Sequence, residues 1–158
     1  MKPSTKVAAV VLAMLALTAV PYAAAASCTV TTSGEAFGSY NPPANVADLT
    51  TGTITVRCTG TAFSTVSYSI VLSTGSGTFG TRLMHAGSNA LGYNLYTDSA
   101  LTSLWGDGTS GTTVVSDSYR IGFSAVTRSY TVYGRIPNNQ TAARTGSYSD
   151  LVLVSVNY

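Results

Sequence analysis

One histidine, two cysteines and six acidic residues are the side chains with which this 158-residue chain could do acid–base, nucleophilic or metal chemistry. His85 stands alone, which excludes a paired-histidine metal site. It could act as a general base, but its place beside Gly87 reads as that of a surface residue flanking a turn. Glu35 and Asp48 are the nearest thing to a glycosidase-type carboxylate pair, and nothing in the sequence puts them in one cleft. Asp107, between Gly106 and Gly108, has the form of a calcium-loop fragment without the further acidic ligands such a loop needs. It reads as a turn. No catalytic residue, metal ligand or cofactor is expected.

Cys28 and Cys58 each fall at or within a strand-like segment, and the beginning of the chain shows why they should be oxidised. Lys2 and Lys6 precede an apolar run from Val7 to Val20, then Pro21 and the small residues Ala23 to Ala26. The run is shorter than the roughly 20 residues a membrane span needs, and Ala24 and Ala26 form an A-x-A site. Residues 1–26 are therefore expected to be a cleaved signal peptide, with export and no stable membrane insertion. In an exported chain two cysteines read as a disulfide. The rival readings are two buried thiols, or a lipidated Cys28, the latter against the missing leucine three residues before it.

Without Lys2 and Lys6 the eight basic residues fall to six scattered arginines against six acids. No basic patch for nucleic acid remains. Residues 27–158 are enough for one domain, and their wealth of Ser, Thr, Gly, Val and Tyr suits strands and tight turns rather than helices. The fold class is all-β.

The pattern along the chain agrees. Ile54, Val56 and Cys58 alternate with Thr53, Thr55 and Arg57, and Val66, Tyr68, Ile70 and Leu72 repeat the alternation before Gly75-Ser76-Gly77 turns the chain. Pro42 and Pro43 force a loop after a short first strand. Arg82–Met84 and Leu91–Tyr96 read as neighbouring strands, residues 112–116 as a short edge strand, and Arg128–Ile136 as a strand in which Gly134 marks a bulge or a close approach. Strands and turns at this spacing suggest a β-sandwich.

Residues 148–158 end the sequence on a strand-like run. Val152, Val154, Val156 and Tyr158 form its apolar face, opposite Leu151, Leu153, Ser155 and Asn157. A free strand edge invites pairing with another strand, so this one is expected to accept a partner's. Tyr96, Trp105 and Tyr133 are candidates for binding a sugar or a surface through exposed rings.

Taken in order, Cys28-Thr29-Val30, Phe37-Gly38-Ser39-Tyr40, Gly52 to Cys58, Arg82-Leu83-Met84, Leu91 to Asp98, Leu104 to Gly108, Tyr130 to Ile136 and Gly146 to Tyr158 resemble the spore coat protein U family, which includes subunits of archaic chaperone-usher pili. The resemblance implies an incomplete immunoglobulin-like sandwich lacking its last strand. In such subunits a periplasmic chaperone, and then an extension of the next subunit delivered at an outer-membrane usher, fills the groove beside the final strand. It also implies display at the cell surface, in a pilus or a spore coat. Polymerising members carry a donor segment before the first cysteine, whereas cleavage after Ala26 leaves Ser27 there. The expected role is thus a tip or minor subunit that accepts a strand, or a spore-coat-like protein; the alternative is a carbohydrate or surface-binding adhesin module.

Overall fold

The computed structural model describes residues 26–158. The leader read from the sequence lies, apart from Ala26, outside them. Among the described residues the chain forms β1 (Ser27–Thr32), β2 (Asp48–Thr59), β3 (Thr65–Leu72), β4 (Arg82–Ala86), β5 (Asn89–Tyr96), β6 (Val115–Arg120), β7 (Val126–Ile136) and β8 (Val154–Asn157). A five-stranded sheet in the order β1-β2-β7-β5-β4 is paired with a three-stranded sheet in the order β6-β3-β8, and every strand pair is antiparallel. The architecture is an immunoglobulin-like β-sandwich.

The alternation dictates the core. Ile54, Val56 and Cys58 of β2 and Val66, Tyr68, Ile70 and Leu72 of β3 are buried, while the threonines and serines between them face outward. Each large apolar side chain so buried contributes about 1.5–3 kcal/mol. Cys28 lies directly opposite Cys58 in the β1–β2 register, Cα to Cα 4.0 Å, and the two are joined in a disulfide. The two sheets are tied through tyrosines: Tyr68 of β3 and Tyr130 of β7 share a hydroxyl hydrogen bond of 2.5 Å, and Tyr130 donates to Asp117 of β6 at 2.7 Å.

Three expectations need correction. The edge strand expected over residues 112–116 is β6, Val115–Arg120. Thr112 and Thr113 are held instead by the preceding turn: Gly108 N–H donates to Thr112 Oγ1, which donates to Thr109 O, and Thr113 N–H donates to Leu104 O.

Trp105 is not a surface residue. It is 0% exposed, and its indole N–H donates to Ile70 O at 3.0 Å. The Trp105–Gly106 backbone is stitched to both sheets, since Trp105 N–H donates to Leu95 O while Leu72 N–H donates to Gly106 O, and the ring enters the core.

The run 148–158 is not one strand. Ser149 exchanges two backbone hydrogen bonds with His85 of β4 in the larger sheet, whereas β8 pairs with β3 in the smaller. The chain changes sheets at Asp150, whose carboxylate accepts from Ser76 N and Oγ, Tyr93 Oη and Leu151 N. Val152, Val154 and Val156 do pack on the core. Tyr158, beyond the last rung at Asn157, is 59% exposed and leaves the apolar face.

Candidate strand-accepting cleft

β1 ends the larger sheet on one side and β8 ends the smaller, and the two approach within 8 Å, Cα to Cα, with no ladder between them. The sandwich therefore has a seam flanked by two unpaired edges. Further along, the seam opens into a cleft of about 340 Å³ between residues 32–37 and residues 148–154. Its inner surface is apolar, from Ile54, Leu72, Leu95 and Val132, with Val152 and Val154 on the C-terminal wall.

Two glycines shape the floor. A methyl group on Gly52 of β2 would come within 2.7 Å of Glu35 Cγ, and one on Gly134 of β7 within 2.5 Å of Glu35 Oε2 and 2.8 Å of Phe37 Cζ. The close approach expected at Gly134 is thus that of the 34–37 segment, which lies in a hollow these glycines leave. Phe37 packs its ring at 71° to Tyr93, centroids 5.9 Å apart.

Glu35 faces the cleft with both carboxylate oxygens closed off from solvent and without a hydrogen-bond partner. Burial pushes its carboxyl up to about 7, opposed in part by the positive charge of Arg82. Arg82 is wholly buried, and it spends its donors on neutral acceptors: Ser73 O, Trp105 O and Asn94 Oδ1, at 2.7–3.2 Å. Burial lowers its pKa, against the raising influence of Tyr93, Asp150 and Glu35. Burial and the hydrogen bond to Asp150 hold the Tyr93 hydroxyl protonated far above its ordinary range. For Asp150 burial acts upward, but the hydrogen bonds from Tyr93, Ser76 and Leu151 outweigh it and keep the group below the usual carboxylate range.

Of the other residues singled out in the sequence, Tyr96 and Tyr133 stand opposite each other across β5 and β7, half-buried and away from the cleft. An exposed aromatic contact forms elsewhere, between Phe63 and Phe123, with centroids 5.0 Å apart. Asp48 begins β2 opposite Ile136 and does not join Glu35. Asp107 accepts from Thr109 N and Oγ1 at 2.9 and 2.7 Å, which is a turn. Among the described residues no group of three or more His, Cys, Asp or Glu could hold a metal ion. Arg82, Tyr93 and Asp150 are not among the site residues expected from the sequence. The one available signal was an arginine and an asparagine, Arg82 and Asn94, inside otherwise apolar strand runs.

A crystal structure of the CsuC-CsuE chaperone-tip adhesion subunit pre-assembly complex, from archaic chaperone-usher Csu pili of Acinetobacter baumannii, has the same fold, with a TM-score of 0.57 at 18% sequence identity. The match covers 85% of this chain and 40% of that one, so the chain spans well under half the length of its structural neighbour. Among curated proteins none matches. The Spore Coat Protein U domain model matches residues 14–155, nearly the whole sequence, and the chain belongs to that family.

Proposed function

We propose that this chain is an exported structural subunit of a surface assembly, an archaic chaperone-usher pilus subunit or a spore-coat relative of one, that receives a strand from a partner along the β1–β8 seam. The observation that carries the reading is the pair of unpaired edges flanking an apolar cleft. A strand seated there would give its backbone hydrogen bonds to edges that now lack them, and place alternate side chains on Ile54, Leu72 and Val132. Strands in a ladder stand about 4.8 Å apart, so a strand between β1 and β8 needs about 10 Å. The seam is narrower, and β1 must swing outward to admit it.

The partners in this reading are a periplasmic chaperone, which fills the seam first, an outer-membrane usher, and the neighbouring subunits. The Csu complex, in which a chaperone holds a tip subunit before assembly, is the precedent, and a tip or minor position is the role proposed here. The chain does no catalysis in this reading.

Export of the mature chain with and without a co-expressed periplasmic chaperone of an archaic chaperone-usher system tests the proposal. With the chaperone, a one-to-one complex should accumulate in the periplasm; without it, the chain should be degraded or aggregate. A monomer that is stable alone, and whose melting temperature neither chaperone nor donor peptide raises, would exclude the reading.

A further inference from the structure

Glu35 is the anomaly of the cleft. A buried carboxylate is normally paired or hydrogen-bonded, because leaving the charge bare costs far more than leaving a neutral polar group so. Among the described residues Glu35 has no such partner, although both oxygens are closed off from solvent. The neighbouring elements supply none. β2 and β7 present Gly52 and Gly134 beneath it. Arg82 of β4 directs four of its five N–H groups to Ser73, Trp105 and Asn94, and makes no hydrogen bond to Glu35. Tyr93 of β5 donates its hydroxyl hydrogen bond to Asp150, and Asp150 is itself an acceptor.

A segment entering the cleft that Glu35 lines can bring what is missing. Resting on the strand-accepting reading above, we propose that Glu35 selects the incoming strand: a segment with lysine or arginine at the position reaching Glu35 is held in preference to one that is apolar there. An apolar side chain at that point would seal the carboxylate more deeply, with no charge and no donor to offset its lost hydration. A lysine or arginine brings both, while its methylene stem lies along the apolar wall. The other occupant able to neutralise Glu35 is a proton, and the carboxyl already holds one up to about pH 7. Selection is therefore weak in acid and strong above neutrality.

The probes are synthetic peptides of about ten residues alternating valine and threonine, each with a single lysine at one inward position, measured against the parent with valine throughout. At pH 8 the best lysine peptide should bind at least about tenfold more tightly than the parent. That advantage should shrink toward parity at pH 5, and at pH 8 in Glu35→Gln, which keeps the shape without the charge. Carboxyl-carbon NMR gives a second reading: the lysine peptide should bring the Glu35 titration below about 7, and the valine peptide should drive it higher. A valine peptide that binds as well as every lysine peptide at pH 8 overturns this proposal and leaves the strand-accepting reading standing. Failure of all peptides to bind overturns both.

Discussion

Burial holds the Glu35 carboxyl near 7 in the folded chain, against 4.5 for the free side chain. The folded state thus binds this proton more tightly than the unfolded state, and stability falls as pH rises from about 4.5 through about 7. The difference of about 2.5 corresponds to a loss on the order of 3 kcal/mol at 1.36 kcal/mol each. Asp117 and Asp150 work in the opposite sense, since their carboxyls are held below the ordinary 3.8, and the stability they lend disappears as pH falls beneath that value. Urea denaturation should therefore find maximal stability between about pH 4 and 5 and a decline toward pH 8, and Glu35→Gln should flatten that decline. A flat profile for the unmodified chain over pH 5–8 would contradict the burial of Glu35. Nothing beside Glu35 in the sequence announces this, because the residues that enclose it, Gly52 and Gly134, lie far along the chain on two other strands.

At the scale of elements, the last segment divides into side chains that face the core and side chains that do not. Val154 packs against the core, while Leu153 is 67% exposed on the outer face. Val154→Asp should cost about 2–4 kcal/mol by burying a carboxylate, and lower the periplasmic yield, whereas Leu153→Asp should stay within about 0.5 kcal/mol. Denaturation midpoints and yields of the two variants, side by side, check this. β2 and β3 could be read directly from the sequence because each has one face in the core and one in water, which writes a period of two into the residues. The start of β6 and the path of residues 148–153 could not. They are decided by single hydrogen bonds, Thr112 to the 108–109 turn and Asp150 to Ser76 and Tyr93, the last two made across more than fifty residues of chain.

For the molecule as a whole, the disulfide closes a separation of 30 residues between the edge strand and its neighbour. Replacing both cysteines by alanine should cost about 3–4 kcal/mol, seen as a lower denaturation midpoint that reducing agent reproduces in the unmodified chain. The sandwich class and this pairing could be read from the sequence; the open seam was legible only as one free edge, because its other half, β1, is an edge by virtue of sheet order rather than of its own residues. Under tension the disulfide takes on a mechanical role. If a neighbour's strand is seated against β1, a pull on the neighbour loads β1, and an edge strand loaded from its end unzips one backbone rung at a time. The rungs from Thr32↔Ile54 back to Thr29↔Arg57 can open in this way, but at Cys28↔Cys58 the peeling front meets a covalent bond. Force is then handed to β2, which is laced to β7 along eleven register pairs and shears as a block instead of unzipping.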